Sequence, residues 1–403
     1  MVTVHVFGAG NTVNVSGTLD ASSGSGSAIN NNDGINTYNI QEGAVLKGRL
    51  VSNGDYLPIL NFDQEVDKSY TYTTEGNWTV NFSGGRPFAY SDNVAVALTT
   101  ENSETADEML FARTRSLHDS LQRNSGAKQS AWADVYNHAS DRASNPAEPT
   151  MKAYRANSNG ISIGEPLVFG GQAVDIIFNR QRTNLRIGSD SQTLNNQSVK
   201  LGLMLKELAP AKGLRLAASG FIGRNTYDGV RSNVVGNLSE TGITTLSSHY
   251  STTDMTLGLA ANYKTQLSKT FLFEGAVEGA YVKEHFAAYA EGDAITWNAR
   301  QISQSSGGLS VGLVYQPQKS LSYHLRVGAQ SRTVNQGAEA SYSVDSSTVS
   351  TSQSVRSEVY YDAEIGAVYQ NDNGLNFSAS LGGFRSDYKV TGKTAHFRMN
   401  WVF

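Results

Sequence analysis

The chain ends in the stretch Lys393-Thr-Ala-His-Phe-Arg-Met-Asn-Trp-Val-Phe403, in which apolar and polar side chains alternate. One face carries Ala395, Phe397, Met399, Trp401 and Phe403, and the other carries Thr394, His396, Arg398 and Asn400. In a soluble protein an apolar terminal strand would pair with other chains unless it were charged, covered or frayed. In a closed membrane barrel the strand pairs on both sides and its apolar face meets lipid. The terminus therefore favours a barrel over a core strand of a soluble β protein.

The composition is polar but compatible with such a barrel. The 403 residues carry a net charge of −4, and only 39% of them are hydrophobic. No stretch approaches the roughly 18 consecutive apolar residues that a spanning helix needs, whereas a barrel strand needs an apolar residue only at every second position. The absence of cysteine excludes disulfides and thiolate metal sites. The N-terminus lacks a signal peptide, so an exported chain would be a trimmed or mature fragment.

From about residue 131 onward, alternating runs recur between polar turns, and each has about the 10-residue length of a tilted spanning strand. Aromatic residues at the ends of these runs, such as Tyr263, Tyr315 and Tyr369, favour a membrane barrel over a β-sandwich, which would alternate as well. The pattern predicts about twelve antiparallel strands, near residues 131–140, 158–169, 172–188, 197–208, 213–227, 252–266, 270–289, 296–316, 320–332, 357–370, 374–386 and 393–403.

The connections between these runs predict the two ends of the barrel. The Ser/Thr/Asn-rich segments 228–251 and 333–356 are typical of long outer loops. The segments 316–319 and 371–374 are typical of tight inner turns.

A helix is predicted between about residues 103 and 124, with Thr105 and Glu108 as a capping box and acidic residues before basic ones, as the helix dipole favours. Its apolar stripe is thin, which suits a wet barrel lumen better than a large core. The side chains expected to act in the lumen are Glu104, Asp107, Glu108, Arg113, Arg115, Leu117, Leu121 and Arg123. The wall charges expected to face them are Arg215, Glu274, Glu278, Arg326, Asp362 and Glu364.

Residues 1–100 form a different pattern of short β runs broken by Gly, Asn, Asp and Ser. Short strands every 15 to 25 residues or so are typical of a parallel β-helix, whose stacked coils bury one narrow core. The fold class expected for the whole chain is therefore all-β, with a short β-helix-like segment, one helix and a transmembrane barrel.

Catalytic and nucleic-acid sites are not indicated by the sequence. The seven histidines are scattered and form no metal-binding spacing. Residues 160–164 match the G-x-S-x-G pattern, but a nucleophile elbow needs a helix after it, so Ser162 is expected to be a strand residue. The chain is net acidic without a basic cluster, so nucleic acid is not an expected partner. No cofactor and no enzymatic activity are expected.

The order of β-rich segment, helix and barrel resembles the C-terminal part of a bacterial type Va autotransporter. Three segments support the resemblance. The run 111–121 followed by Ser130-Ala-Trp-Ala133 is similar to that family's linker helix and first strand. Residues 159–164 are similar to its Gly-rich second strand, and residues 397–403 are similar to its terminal assembly signal.

The resemblance implies three domains: the end of a passenger at 1–102, a linker helix at 103–130 and a translocator barrel at 131–403. It implies a monomer in the bacterial outer membrane that exports and tethers a passenger at the cell surface, with the helix as a plug. It also implies periplasmic chaperones and an outer-membrane assembly machinery that recognises the last strand. The residues of that assembly signal are Phe397, Met399, Trp401 and Phe403.

Two other functions remain open from the sequence. The barrel could itself be a pore or an enzyme, with residues 1–100 as a periplasmic appendage. The chain could also be a soluble β-rich adhesin without membrane contact.

Overall fold

The structure is a computed structural model that describes a β-solenoid, a helix and an antiparallel barrel, in that order along the chain. The described residues are 4–22, 26–63, 68–83, 87–91, 93–98, 101–122, 130–143, 153–169, 172–188, 192–206, 208, 213–237, 241–336, 339–352, 357–371 and 373–401.

The N-terminal segment is a parallel solenoid, as the sequence predicts. Its strands are β1 (Val4–Val6), β2 (Thr12–Val15), β3 (Thr18–Asp20), β4 (Ser27–Asn31), β5 (Thr37–Ile40), β6 (Val45–Lys47), β7 (Arg49–Ser52), β8 (Ile59–Phe62), β9 (Ser69–Glu75) and β10 (Thr79–Phe82). One face stacks β1, β4, β7 and β9 in parallel, a second stacks β2, β5, β8 and β10, and a third pairs β3 with β6.

Identical positions of successive coils meet inside and outside the solenoid. The side chains of Val15, Ile40, Phe62 and Phe82 are in register along the second face and are buried in its core. The asparagine that precedes each of these residues points outward, and its side-chain amide joins a ladder. Asn39 donates to Asn14 at 2.8 Å, Asn61 to Asn39 at 2.8 Å and Asn81 to Asn61 at 3.0 Å. A hydrophobic column and an amide ladder together fix the register of the coils.

An antiparallel hairpin ends the solenoid. It consists of β11 (Ala89–Ser91) and β12 (Val94–Ala97), and β12 pairs with β9. This hairpin covers an edge of the sheet that would otherwise present free backbone donors and acceptors.

The helix α1 (Glu101–Gln122) follows. It begins two residues before the predicted start, so Thr105 lies within it and the predicted capping box is wrong. The match to the helix dipole is also wrong at the C-terminal end, because the last turn contains no basic residue. Within the described residues no helix is long and apolar enough to cross a membrane.

Most of the remaining described chain is strand, with turns between the strands. The strands are β13 (Ala131–Arg142), β14 (Tyr154–Phe169), β15 (Gln172–Ile187), β16 (Gln192–Leu205), β17 (Leu214–Gly236), β18 (Ile243–Gln266), β19 (Phe271–Phe286), β20 (Tyr289–Glu291), β21 (Ile295–Trp297), β22 (Arg300–Gln318), β23 (Leu321–Gln336), β24 (Glu339–Val344), β25 (Ser347–Ser352), β26 (Ser357–Gln370), β27 (Leu375–Ser386) and β28 (Val390–Trp401).

Twelve of these strands, counted over the described ranges, form a closed antiparallel barrel, which confirms the prediction. Closure comes from β13 and β28, which pair from Ala131 with Trp401 to Arg142 with Val390. The short pairs β20–β21 and β24–β25 are hairpins inserted at one end, between β19 and β22 and between β23 and β26. Because the barrel is closed, its strands satisfy one another's backbone groups, as a lipid environment requires.

The predicted alternation determines which side chains face outward. Large apolar residues are exposed on the outer wall, among them Val135, Ile163, Phe178, Leu201, Ile222, Leu257, Leu309, Leu325, Ile365, Leu381 and Phe397. Polar residues at the intervening positions are buried in the lumen, among them Asp134, Ser162, Asn179, Lys200, Asp254, Glu284 and Arg398.

Two predicted connections are corrected by the structure. Most of segment 228–251, predicted as a loop, continues β17 and β18 beyond the barrel wall, with pairs such as Asp228 with His249. The segment 333–356 contains the hairpin β24–β25. Thr, Tyr and Val within these polar segments suit strands once a partner strand is present. One predicted inner turn is displaced as well, since β22 continues to Gln318 and pairs with Leu321.

Candidate translocation pore and its plug helix

The helix α1 lies in the lumen of the barrel. Near its start, Glu108 contacts Arg142 and Tyr154, at the end of the barrel that carries the long strand extensions. Near its other end, Arg398 of β28 donates a hydrogen bond to the backbone carbonyl of Ser120. The helix therefore passes along the pore from the solenoid end of the barrel to the end where β13 begins.

The described side chains of the helix are packed, which corrects the expectation of a wet lumen. From Glu108 to Leu121 nearly all of them are buried. Met109, Leu110 and Phe111 pack against wall residues that include Tyr154, Leu185, Tyr227, Val282 and Tyr360. Leu117 and Leu121 pack against Trp132, Ile177, Met204 and Phe221. The thin apolar stripe of the helix is sufficient because the wall supplies inward aromatic and aliphatic partners.

At the solenoid end of the pore, Glu108 is held by cations of the wall. Its carboxylate accepts hydrogen bonds from Arg142 Nη1 at 3.1 Å, Arg332 Nη2 at 3.2 Å and the hydroxyl of Tyr154 at 3.1 Å. Arg332 also donates to Glu358 at 2.7 Å. This helix carboxylate is thus bound to strands on different sides of the barrel.

In the middle of the pore, Arg113 belongs to a fully buried cluster of charges. Its Nη2 lies 2.5 Å from Glu284 Oε2 and 3.9 Å from Asp254 Oδ2. Lys200 Nζ lies 2.8 Å from Asp254 Oδ1, and Asn225 donates to both carboxylates. Two cations therefore face two carboxylates, and the cluster is neutral. Such a cluster holds the helix because departure of either partner would leave the other charge buried without compensation.

Toward the other end of the pore, further helix residues pair with the wall. Arg115 lies 3.6 Å from Asp362 and 4.0 Å from the ring centroid of Phe384. His118 Nε2 lies 3.0 Å from Glu278 Oε2. Glu278 lies on β19, as Glu284 does, whereas Asp362 and Phe384 lie on β26 and β27. The helix is therefore connected to several parts of the wall.

The structure brings together some of the predicted site residues and separates others. Two predicted wall charges, Glu278 and Asp362, contact the helix. Five predicted helix residues contact the wall: Glu108, Arg113, Arg115, Leu117 and Leu121.

The other predicted wall charges pair with neighbouring wall residues or lie near the end of a strand. Glu274 lies 2.5 Å from Lys264 of the neighbouring strand, and Arg326 lies 3.8 Å from Glu364. Arg215 is half-buried near the start of β17.

Some predicted residues cannot be placed. The backbone of Glu104 and Asp107 is helical, but their side chains, with Arg123 and Phe403, lie outside the described residues.

Several charged residues of the pore were not predicted from the sequence: Lys200, Asp254, Glu284, Arg332 and Glu358. The signal for them is present, because each is a charged residue at the inward position of an alternating run. Charge at such a position identifies a lumen residue but does not identify its partner.

The first barrel strand carries two rings that cover glycines of the next strand. A Cβ atom built on Gly164 would lie 2.2 Å from Nε1 of Trp132, and one built on Gly160 would lie 2.3 Å from Cζ of Tyr136. Trp132 Nε1 also donates to Asp175 at 2.9 Å. The glycines are therefore needed for close packing. Ser162 between them is a buried strand residue, as predicted, and accepts a hydrogen bond from Asn179.

The described part of the last strand pairs on both sides, with β13 and with β27. Phe397 points outward and is exposed, and Met399 and Trp401 are half-exposed. His396 of the inner face is buried, with Nδ1 3.3 Å from Asp134.

The solenoid contacts the extension of β17. Strand β9 pairs in parallel with β17, from Ser69 opposite Val234 to Thr71 opposite Gly236. The buried side chain of Asn237 accepts a hydrogen bond from the Thr73 amide at 2.9 Å and donates to the Thr73 carbonyl at 2.8 Å. The barrel wall is thus continued into the solenoid by a shared sheet.

A second contact joins the end hairpin of the solenoid to the inserted hairpins of the barrel. Ala89, Val96 and Leu98 share a buried cluster with residues that include Ile295, Trp297, Tyr342 and Val344. The hydroxyl of Tyr342 accepts a hydrogen bond from the Leu98 amide at 3.3 Å. Together the two contacts hold the solenoid at one mouth of the pore.

In the portion of the chain that the structure describes, no group of three or more His, Cys, Asp or Glu residues could hold a metal ion.

Comparison with known proteins gives a family and a fold. The family model of the autotransporter beta-domain matches residues 131–382. The translocator domain of the autotransporter NalP from Neisseria meningitidis is similar in structure, with a TM-score of 0.54, 14% identity, and coverage of 76% of this chain and 99% of that one. The beta domain of the Bordetella autotransporter BrkA gives a TM-score of 0.45 and 15% identity, covering 68% of this chain and 99% of that one. Among curated proteins, none matches this sequence.

Proposed function

Because this chain belongs to the autotransporter β-domain family, we propose that residues 131–403 export the segment ahead of the helix to the surface of a Gram-negative bacterium and tether it there. The barrel lies in the bacterial outer membrane, and the solenoid is the surface-exposed end of a passenger. In this proposal α1 is the last part of the exported chain, and it stays in the pore when export is complete.

The observation that carries the proposal is the path of the chain through the barrel. The solenoid lies at the mouth where the strands are extended, and α1 passes from it through the lumen to the start of β13 at the opposite end. This arrangement is expected of a chain that has been moved through a pore and then retained in it. If residues 1–100 were a separate periplasmic appendage, there would be no reason for α1 to pass through the lumen.

The packed lumen supports tethering. The helix could leave the pore only by uncovering its buried apolar residues and separating the charges of Arg113 and Glu108 from their partners. Separation of one buried ion pair by removal of a partner costs about 3 to 5 kcal/mol. The helix therefore serves as plug and anchor, and in this reading the barrel has no enzymatic role, since its central carboxylates are occupied by cations.

Folding of the solenoid outside the cell favours outward movement. A folded stack of coils with a continuous core does not return through a pore that is closely filled by a single helix. No nucleotide is required for this bias. We further propose that the barrel acts as a monomer. Its insertion would use periplasmic chaperones and an assembly machinery that recognises the terminal strand.

The test is a protease-accessibility assay on intact cells of a Gram-negative host that expresses the chain behind an export signal. An epitope tag ahead of residue 4 should be digested on intact cells, while the barrel remains protected and folded. The matched control lacks residues 393–403 and should leave no digestible tag at the surface. If the tag is digested only after the outer membrane is permeabilised, the solenoid is a periplasmic appendage and the proposal is wrong.

A further inference from the structure

Three arginines on the outer wall of the barrel point away from the pore, near the surface-exposed end. Arg180 and Arg182 lie on β15 and Arg224 lies on β17, and all three are exposed. The alternation of these strands places Arg180 and Arg182 on the same face as the exposed residue Phe178, and Arg224 on the same face as Ile222. The arginines therefore belong to the lipid-facing wall and not to the pore.

Strand register puts two of these arginines in one lateral row of the barrel wall and the third in the adjacent outward-facing row. Arg180 is opposite Val199, and Val199 is opposite Arg224, so the two arginines lie in one lateral row. Two strand spacings separate their Cα atoms by roughly 10 Å. Arg182 is two residues further up the same face of β15, roughly 7 Å away, and is opposite Gln197. The guanidinium groups can thus reach a single headgroup from two sides.

The rows on either side locate this level at the membrane boundary. The row directly below contains Ile163, Phe178, Leu201, Ile222 and Met255, each of which is at least 40% exposed. The row above contains Asn159, Arg182, Gln197 and Thr226. The outer wall thus changes from apolar to polar at the row of Arg180 and Arg224. This is the depth at which lipid headgroups meet acyl chains.

The charges of this patch are not compensated by the protein. Within the described residues Arg180, Arg182 and Arg224 have no ion pair, and the rows that contain them include no acidic side chain on the outer face. The acidic residue Asp228 lies two rows above Arg224 and is paired with His249 at 2.6 Å. Exposed cations at a membrane boundary gain most from anionic groups of the lipid.

We propose that Arg180, Arg182 and Arg224 form a binding site for the phosphate groups of a phosphorylated lipid in the outer leaflet. Guanidinium groups donate paired N–H groups that match phosphate oxygens. The amide of Gln197 lies beside Arg182 in the patch, and the apolar residues Phe178 and Leu201 below offer a surface for the acyl chains. The site would orient the barrel at a defined depth in the outer leaflet.

The experiment measures binding of bisphosphorylated lipid A to the full chain in an uncharged detergent by native mass spectrometry. The variant R180Q/R224Q should bind about 30-fold more weakly, from the usual contribution of two basic residues at an anionic membrane surface. The control K269Q/K319Q makes the same charge change in exposed turns at the opposite end and should bind as the unaltered chain does. Lipid A without phosphates should bind weakly and equally to all of these proteins.

Three outcomes would overturn the proposal. They are equal binding by R180Q/R224Q and the unaltered chain, equal binding of lipid A with and without phosphates, and displacement of the lipid by equimolar inorganic phosphate. The last would indicate a site for a free anion. Heat-modifiable migration on SDS gels verifies that each variant is folded, and the single variants R180Q and R224Q replace the double variant if it is not. Each should then bind about 5-fold more weakly.

Discussion

The neutral cluster in the middle of the pore gives the most direct test of how the helix is held. The substitution Arg113→Met removes a guanidinium that is fully buried and lies 2.5 Å from Glu284. Met retains much of the length and the apolar packing of the side chain but no charge. The remaining cluster then contains Lys200 with two carboxylates, Asp254 and Glu284, and so carries a net negative charge inside the barrel.

The cost of this change follows from the burial of the cluster. Removal of one partner of a buried ion pair costs about 3 to 5 kcal/mol, and each 1.4 kcal/mol is a factor of ten in an equilibrium. Docking of the helix in the pore should therefore weaken by a factor of roughly 100 to 4,000. The lower end of this range is expected, because water that enters the loosened lumen will solvate Glu284.

The assay is single-channel conductance of the purified chain in planar bilayers, combined with the temperature at which the folded band disappears from SDS gels. The Arg113→Met variant should open far more often than the unaltered chain. The double variant Arg113→Met/Glu284→Gln should close the pore again, because its cluster is neutral and the side-chain amide oxygen at position 284 can still accept hydrogen bonds from Tyr227 and Asn225. The control Arg155→Met removes an exposed arginine paired with Asp141 and should change little.

Two results would refute the reasoning. If Arg113→Met leaves conductance and thermal stability unchanged, the buried pair does not hold the helix. If the double variant conducts as often as the single one, the loss comes from missing contacts of the arginine and not from an unpaired buried carboxylate.

Three further outcomes are expected. Asn237→Ala should weaken the contact between the solenoid and the barrel by about 1 to 3 kcal/mol, because buried backbone groups lose their partner. Hydrogen exchange in β9 should become faster, and unchanged exchange would contradict this expectation. Gly160→Ala should lower the thermal stability of the barrel by about 1 to 3 kcal/mol through overpacking, as the loss of the folded band on SDS gels would show. Hydrogen bonds from Ser22 and from the ammonium of Lys47 lower the pKa of Asp20 to about 2 from 3.8, so this carboxylate stabilises the solenoid above pH 3.8 and loses that effect as the pH falls towards 2. Sensitivity of the solenoid to pepsin should therefore rise over this interval, and the rise should be smaller in Asp20→Asn.

The barrel strands could be predicted from the sequence because each carries its own signal. Strand β19 runs from Phe271 to Phe286 where 270–289 was predicted, and β27 runs from Leu375 to Ser386 where 374–386 was predicted. A spanning strand meets lipid on one side and the lumen on the other, so its period of two is visible without knowledge of its neighbours.

The sequence of the solenoid contains a clearer repeat than the irregular short strands from which it was predicted. A hydrophobic–Asn–hydrophobic triplet ends the segments Thr12-Val-Asn-Val15, Thr37-Tyr-Asn-Ile40, Ile59-Leu-Asn-Phe62 and Thr79-Val-Asn-Phe82. These four segments are the strands β2, β5, β8 and β10. The triplet is what an amide ladder above a hydrophobic column requires, so the repeat could have been found from the sequence.

The pore could be predicted only in part. The helix and the charges of the wall are visible as residue types, but the wet lumen inferred from the thin stripe of the helix is wrong. The apolar partners of Leu117 and Leu121 come from inward positions of distant strands, such as Ile177 and Phe221. Which strands surround a given helix turn depends on closure of the barrel and on its register, and neither is encoded in any one segment.

The sequence by itself determined which side chains of each strand meet lipid, because that choice is made by the solvent on the two faces of a strand. Only the tertiary structure decided that β17 and β18 continue past the wall and that β9 pairs with β17. It also decided that Asn237 takes the backbone of Thr73 as its partner. The physical reason is that backbone pairing between distant segments needs their ends to be brought together first, and closure of the barrel is what brings them together.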